Sequence, residues 1–245
     1  MSKHFELFDR IDRERELLRF ADRRTLRDHA DPILPIDDAS RSELEKLVNR
    51  LYVASSPPPS MVVVTALEAR SGCSWVCAHA ADLLASRVNG SVCLVDANLR
   101  APSLHSLFGL PNESGLTDIL KDPEYDIKNV ISQVPGCPLW LMTCGAPVQD
   151  GELVARSRGL SARLAELRNR FDFVLIDAPS TSVSRAAFQL GRFADGVLVL
   201  LRANSTLREV ARRVKEEFEE NQIKLLGAIL HGRTFPIPEA IYKQL

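Results

Sequence analysis

The chain has 245 residues, of which 45% are hydrophobic and 26% are charged, and its formal net charge is −1. This composition predicts one large globular domain, and the near-neutral charge argues against a general nucleic-acid-binding protein. No apolar run is long enough to insert directly into a membrane, and the charged N-terminus does not resemble a secretory signal. We therefore expect a cytoplasmic protein whose five cysteines are reduced thiols.

Residues 1–30 are predicted to form a charged amphipathic helix, because their apolar side chains follow a helical period. The simpler interpretation is a solvated helix that rests on the body of the protein, and the alternative is a docking helix for a partner. Residues 31–40 are rich in proline and aspartate and are interpreted as a linker. The main domain is then expected at residues 41–245, beginning with a helix from Arg41 to about Val53.

After Ser60, short β-branched runs alternate with longer helical stretches. Each run is nearly continuous in apolar residues, as expected for strands that are covered by helices on both faces. The runs are MVVVTA, SVCLVDA, LWLMT, FDFVLIDAP, GVLVLLRA and LLGAIL. Helices are expected between them, at about 73–88, 102–121, 150–170, 184–193 and 205–221. This alternation predicts an α/β fold with a doubly wound, mostly parallel sheet of about six to eight strands and helices on both faces.

The segment after the first predicted strand has the spacing of a phosphate-binding loop, G-x-x-x-x-G-K-[ST]. Gly72 takes the place of the second glycine and Ser74 that of the hydroxyl residue, whereas Leu67 replaces the first glycine and Cys73 replaces the lysine. Taken alone, this segment is also consistent with a plain strand-to-helix turn, so its neighbours must decide its role.

Two carboxylates stand at the ends of predicted strands, Asp96 after SVCLV and Asp177 after FDFVLI. Ligands of doubly wound sheets bind outside the carboxyl ends of the strands, which would place both side chains beside the loop. A hard cation such as Mg²⁺ requires oxygen ligands of this kind. A role as a helix N-cap or turn residue is the alternative for each, and we favour the cation-binding interpretation.

Residues 91–120, SVCLVDANLRAPSLHSLFGLPNESGLTDIL, resemble a signature block of the bacterial tyrosine kinase (BY-kinase) family. These are cytoplasmic kinases of capsule and exopolysaccharide assembly, related to the MinD/ParA-type ATPases. The resemblance extends over about residues 41–233. It implies a P-loop NTPase type of fold, ATP and Mg²⁺ as cofactors, a membrane polysaccharide-assembly protein (a co-polymerase or adaptor) as partner, and a possible homo-oligomer. Further matching segments lie at 141–153, 171–179, 194–210 and 225–233.

The same resemblance implies roles for individual residues. Asp96 would lie near the attacking hydroxyl and act as the catalytic base, and Mg²⁺ would be held by Ser74, Asp96 and Asp177. The residues expected to contact nucleotide are Arg70, Ser71, Gly72, Cys73, Ser74, Trp75, His231 and Arg233.

Several departures from the family pattern bear on activity. Cys73 cannot place a fixed positive charge on the β- and γ-phosphates, and Trp75 stands where a small threonine usually lies near the α-phosphate. Asn98 replaces a second aspartate and so keeps an oxygen but loses the charge. The family usually ends in a cluster of phosphorylated tyrosines, whereas Tyr242 is the one tyrosine in this tail. We favour an interpretation of Tyr242 as an apolar anchor.

The oligomerisation motif of the family, E-x-x-R-x-x-R, falls on Glu43, Lys46 and Asn49, so only the glutamate and one basic residue remain. Cys73 has a second possible role, because a thiol in the first turn of a helix can become a redox-sensitive thiolate. A small residue that fills the turn is the simpler interpretation.

Three functions remain open from the sequence. The first is a BY-kinase-like pseudokinase that binds nucleotide weakly or not at all and regulates exopolysaccharide or capsule biosynthesis and export. The second is an active tyrosine kinase or ATPase in which Arg70 supplies the missing charge. The third is a positioning ATPase of the MinD/ParA kind. The missing lysine and tyrosine cluster favour the first over the second, and the SLHSLFGL segment favours polysaccharide assembly over positioning.

Overall fold

A computed structural model of the chain describes residues 34–122, 124–146, 148 and 159–232. The predicted N-terminal helix, the 150–158 part of a predicted helix, and the tail with Arg233 and Tyr242 lie outside the described residues.

The fold is built on a seven-stranded sheet with the spatial order β3-β4-β2-β5-β1-β6-β7. All neighbouring strands run parallel except β3, which is antiparallel to β4 at one edge. The predicted doubly wound, mostly parallel α/β sheet is therefore confirmed. The strands are β1 (Met61–Ala66), β2 (Val92–Asp96), β3 (Ile131–Gln133), β4 (Leu139–Met142), β5 (Phe173–Asp177), β6 (Gly196–Arg202) and β7 (Leu225–His231).

Helices cover both faces of the sheet. The described α-helices are α1 (Asp38–Val48), α2 (Cys73–Arg87), α3 (Leu104–Phe108), α4 (Leu116–Lys121), α5 (Leu160–Arg170), α6 (Ala186–Gly191) and α7 (Arg208–Glu220). A π-helix at Asn49–Val53 continues α1, and a short 3-10 helix at Ile127–Val130 precedes β3. Apolar side chains of α1, α2 and α3 form one buried cluster with the sheet, and those of α4, α5, α6 and α7 form the other. The central strand β1 is buried along its whole length, which explains why its sequence is continuously apolar.

The structure differs from the sequence prediction in two elements. Strand β3 was not predicted, because its three residues ISQ are half-buried or exposed and carry no apolar run. The helix expected at 102–121 is two short helices, α3 and α4. Gly109 ends α3 in the left-handed conformation with φ 64°, and Asn112 then exchanges two hydrogen bonds with the backbone of Gly145.

Helix α1 begins within the segment interpreted as a linker. The carboxylate of Asp37 accepts a hydrogen bond from the Ser40 N–H at 2.9 Å, which satisfies a free amide of the first turn. Downstream, Glu43 and Lys46 pair with each other at 2.6 Å, and Asn49 Oδ1 accepts a bond from Arg87 at 3.2 Å. Two turns of α1 and the turn that follows are therefore stabilised by contacts within this chain.

A search of the described residues for helices long and apolar enough to cross a membrane finds none.

Candidate functional site

The phosphate-loop segment connects β1 to α2 and has the backbone shape of an anion-binding loop. Arg70 and Gly72 both adopt the left-handed conformation, with φ 59° and 80°. Alternation of right- and left-handed residues turns successive backbone N–H groups toward one point, which creates a concave site for an anion. Helix α2 begins at Cys73 directly after Gly72, and no side chain caps its free N–H groups.

Both ends of the loop are fixed by hydrogen bonds to the sheet and to itself. The Leu67 N–H donates to the carbonyl of Leu200 on β6 at 3.2 Å, and the Ser71 hydroxyl donates to the carbonyl of Glu68 at 2.8 Å. Ser71 is buried, and this hydrogen bond of its hydroxyl holds the loop in shape. The Arg70 side chain is exposed, and the described residues provide it with no hydrogen bond or ion pair.

Asp96 and Asp177 lie opposite each other on adjacent parallel strands, as the last residues of β2 and β5. Their relative exposures are 0% and 1%, so both carboxylates are removed from water beside each other. Two neighbouring buried carboxyl groups cannot both be ionised unless a cation compensates their charge. The sequence prediction that the two carboxylates meet at the phosphate loop agrees with this arrangement.

The Asp96 carboxylate is held by three backbone N–H groups. It accepts N–H groups from Asn98 at 3.1 Å, Ser103 at 3.0 Å and Leu104 at 3.0 Å. Burial raises its pKa, and these three bonds partly oppose that rise. Asp96 thus fixes the loop between β2 and α3, as the turn-residue alternative requires, and its role beside Mg²⁺ stays a prediction.

Asp177 has a different environment. Burial, followed by the charge of Asp96, raises its pKa to about 7, while the adjacent Ser74 hydroxyl and Cys73 thiol lower it. Its Oδ2 atom is buried and has no hydrogen-bond partner among the described residues. A buried carboxylate oxygen without a partner fits a divalent cation or a proton.

Cys73 lies where a lysine ammonium would compensate these carboxylates. Its thiol faces Asp177, and burial raises its pKa well above the ordinary value, with further contributions from the negative charges of Asp177 and Cys77. This direction is opposite to that expected for a thiol activated by a helix N-terminus. Burial of the thiol thus favours its neutral form, which supports the simpler interpretation of Cys73 as a small residue that fills the turn.

Trp75 packs along α2. Its indole stacks on the buried imidazole of His79, one turn later, with 3.9 Å between the ring centroids. The two His79 nitrogens face the carbonyls of Trp75 at 2.9 Å and Pro35 at 3.3 Å. The indole thus packs against the apolar cluster between α1, α2 and α3, and the Trp75 backbone lies in the first turn of α2.

His231 ends β7 and reaches the phosphate loop. A Cβ atom added to Gly72 would lie 3.4 Å from His231 Nε2, so the imidazole and the loop are near neighbours. The structure thereby brings together the predicted residues at 70–74, the two carboxylates and His231, while Arg233 lies outside the described residues.

Two features of the site were not anticipated from the sequence. The first is the source of the amides that bind Asp96, which include Ser103 and Leu104 at the start of α3. The second is the Trp75–His79 stack, whose i, i+4 spacing is visible in the sequence. Within the described residues, no group of three or more His, Cys, Asp or Glu side chains is arranged to hold a metal ion, so a cation here would need phosphate or water oxygens as well.

Comparison with known proteins places these features in context. The chain is 30% identical over 173 residues to the tyrosine-protein kinase YwqD of Bacillus subtilis, covering 70% of this chain and 72% of that protein. It is also 30% identical over 175 residues to the tyrosine-protein kinase wzc of Salmonella typhimurium. That match covers 71% of this chain but only 24% of wzc. No family model matches the chain.

Solved structures show the same fold. The kinase domain of the Escherichia coli tyrosine kinase ETK superposes with a TM-score of 0.72 at 21% identity, covering 87% of this chain and 88% of that one. The septum site-determining protein MinD of Pyrococcus horikoshii, complexed with Mg-ADP, superposes with a TM-score of 0.61 at 20% identity. The MinD match covers 75% of this chain and 76% of the other.

Proposed function

Because the chain belongs to the bacterial tyrosine kinase family, we propose that it is a nucleotide-binding pseudokinase that regulates exopolysaccharide or capsule assembly. The observation that carries the proposal is Cys73, a neutral thiol that faces Asp177 where the family resemblance expects a lysine. A neutral thiol cannot stabilise the charge that develops on a transferred phosphoryl group.

The capacity to bind nucleotide is supported by what the loop retains. The left-handed residues Arg70 and Gly72 shape an anion site, and helix α2 presents free amides to it. The Ser74 hydroxyl and the unpartnered Oδ2 of Asp177 fit a Mg²⁺ ion, which would neutralise phosphate charge when bound with ATP. His231 lies close enough to Gly72 to contact the same ligand.

The loss of catalysis is supported by what surrounds Asp96. The three hydrogen bonds that it accepts from the described residues all come from backbone amides, so about three of its four lone pairs serve the loop before α3 and one is left for a cation. A carboxylate held in this way is a poor base for a tyrosine hydroxyl, because taking the proton would weaken those bonds.

A titration of the purified protein with Mg²⁺–ATP tests nucleotide binding. We expect saturable binding, weakened roughly 10- to 100-fold in Asp96→Asn, since a carboxylate beside the cation contributes about 1.5–3 kcal/mol. Asp96→Ala should weaken binding at least as much but also leaves three buried amides unpaired, so thermal unfolding must be followed in parallel.

Asp172→Asn is the matched control, because Asp172 also binds backbone and hydroxyl groups but lies before β5, outside the site. Absence of binding in the unmodified protein would contradict the proposal.

Two other functions have some support. Arg70 is exposed on the loop and has no hydrogen-bond or ion-pair partner among the described residues. This favours an active kinase or ATPase in which Arg70 supplies the charge of the missing lysine. The likeness to MinD supports a positioning ATPase only at the level of fold. The SLHSLFGL segment, which forms α3 and receives Asp96, belongs to the resemblance to capsule kinases and favours the first proposal.

We propose further that the protein acts in the cytoplasm and reaches the membrane through a polysaccharide-assembly partner, which residues 1–30 contact. Deletion of residues 1–30 is then expected to abolish co-fractionation with membranes while leaving nucleotide affinity intact, because the phosphate loop is built from other segments. Fractionation of cells that produce each form, with immunodetection, provides the measurement. A truncated protein that still follows the membranes would place the docking surface elsewhere in the chain.

The oligomeric state belongs to the same proposal. Glu43 pairs with Lys46, and Asn49 accepts a bond from Arg87, so the residues that fall on the family's oligomerisation motif have partners within the chain. A homo-oligomer that used these residues would depend on ion pairs and hydrogen bonds exposed to water, which contribute little to stability.

A further inference from the structure

Helix α2 is in contact with the segment of residues 34–36, which comes just before α1. Every residue of α2 from Val76 to Ala85 is buried, because the sheet covers one side of the helix and this segment, together with α1, covers the other. Leu34 is buried in the same apolar cluster, and Ile36 packs against that cluster. Residues 34–36 therefore pack behind the helix that begins at the phosphate loop.

The polar contact between this segment and the helix is made by His79. Its buried imidazole places Nε2 3.3 Å from the Pro35 carbonyl oxygen and Nδ1 2.9 Å from the Trp75 carbonyl oxygen. A neutral imidazole carries one N–H group and so donates to one of these carbonyls at a time. The Trp75 indole stacks on the same ring, with 3.9 Å between the centroids, and thereby restricts its orientation. One ring thus contacts both the segment and the first turn of α2.

We propose that His79 fastens residues 34–36 to the first turn of α2, and that this attachment holds the turn in the shape that presents its amides to a phosphate group. The inference rests on the nucleotide site proposed above and concerns the regulation of that site. The first helical bond runs from the Val76 N–H to the Gly72 carbonyl at 3.0 Å, so the glycine of the loop is tied to this same turn. Detachment of the segment therefore loosens the phosphate loop.

The attachment and phosphate binding are expected to support each other. A helix N-terminus binds phosphate through backbone N–H groups, and ordering those groups costs conformational entropy. A turn that His79 already holds loses less entropy when phosphate binds, so the attached form has the higher affinity. By linkage, a bound nucleotide stabilises the attachment by the same factor. Release of residues 34–36 then acts as a switch that lowers nucleotide affinity.

A second contact between α1 and α2 provides a matched comparison. Arg87, the last residue of α2, pairs with Glu45 at 2.8 Å and donates to Asn49 Oδ1 at 3.2 Å. This contact also holds α1 against α2, but it lies at the end of α2 that is farthest from the phosphate loop. Arg87→Gln should therefore loosen α1 without changing the first turn of α2.

The experiment is backbone hydrogen exchange of the full-length protein without nucleotide, followed by mass spectrometry on peptides that cover residues 72–77. We expect Leu34→Ala and His79→Leu each to speed exchange there by roughly fivefold or more, the lower end of typical coupling between sites. The double variant should exchange no faster than His79→Leu, because the coupling passes through that ring. Arg87→Gln should exchange like the unmodified protein. His79→Gln, which keeps a donor, replaces His79→Leu if thermal unfolding shows that the latter does not fold.

Three results of this experiment would overturn the proposal. One is unchanged exchange in Leu34→Ala. Another is a double variant whose effect is the sum of the two single effects, because the segment would then act through apolar packing alone. The third is an effect of Arg87→Gln as large as that of Leu34→Ala, because the loop would then respond to any loosening of α1.

A nucleotide arm separates this inference from the proposed function. Titration with Mg²⁺–ATP should show an affinity roughly fivefold or more weaker in Leu34→Ala, no further loss when His79→Leu is added to it, and no change in Arg87→Gln. ATP binding that is insensitive to Leu34→Ala contradicts the inference alone. Coupled exchange in the loop peptides without ATP binding in any form supports the attachment and contradicts the proposed function alone.

Discussion

Asp177→Asn is expected to stabilise the protein at pH 8 by up to about 4 kcal/mol. The Asp177 carboxyl is buried beside Asp96, and its pKa is raised from the ordinary 3.8 to about 7. Between these two values the unfolded chain releases the proton while the folded chain retains it. The stability contributed by the protonated form is therefore complete below pH 4 and is lost as the pH rises through 7. Asparagine removes this cost because it is never ionised.

Urea unfolding at several pH values between 5 and 8 measures the effect, since the free energy of unfolding extrapolates linearly with urea. The unmodified protein should lose stability across this interval, and the Asp177→Asn profile should be flatter. Asp195→Asn is a control for which the expected change in stability has the opposite sign. Although partly buried, the Asp195 carboxylate accepts bonds from Met61 and Arg168 that hold its pKa below the ordinary value. Its loss should destabilise the protein. Equal slopes for Asp177→Asn and the unmodified protein would show that the Asp177 carboxyl has an ordinary pKa.

The unmodified protein is expected to give no tyrosine autophosphorylation, and Cys73→Lys alone is not expected to restore it. Loss of one electrostatic group from a catalytic site commonly reduces turnover by about 10² to 10³-fold. Restoring lysine should tighten ATP binding by no more than about 1.5–3 kcal/mol, roughly 10- to 100-fold. It leaves Asp96 bound by three amides and Asn98 uncharged.

Phosphotyrosine detection and ATP turnover are measured on the unmodified protein, Cys73→Lys and Arg70→Ala. Arg70 provides the sharpest contrast, because its guanidinium can bind two phosphate oxygens at once and it projects from the loop without a described partner. Turnover in the unmodified protein that collapses in Arg70→Ala would replace the pseudokinase proposal with an active site in which arginine substitutes for lysine.

The fold was largely predictable because its signals are local. Buried parallel strands such as β1 and β5 have continuous apolar sequences, and the strand-end rule places Asp96 beside Asp177. Strand β3 was missed because an exposed three-residue edge carries no such signal. The break between α3 and α4 depends on Asn112 bonding Gly145, a contact between distant segments.

The site was less predictable than the fold. Sequence identified the residues of the loop, but it did not show which of them turn toward a ligand. The crowding of the α-phosphate by Trp75 stays a prediction, and the contact of its indole with the buried imidazole of His79 was not anticipated. The backbone bonds of Asp96 were not predictable either, because the three amides that it binds come together only in the folded chain.

The strand order also has a consequence during synthesis on the ribosome. Strand β1 is the first to be made, yet its sheet neighbours are β5 and β6, and the bonded pair Thr65 and Pro179 is separated by 114 positions. The nascent chain therefore carries the apolar run MVVVTA without a pairing strand while most of the domain is translated. The phosphate loop acquires its support only when β5 and β6 emerge. A nucleotide that binds this loop can therefore stabilise the domain only after β5 and β6 have been made.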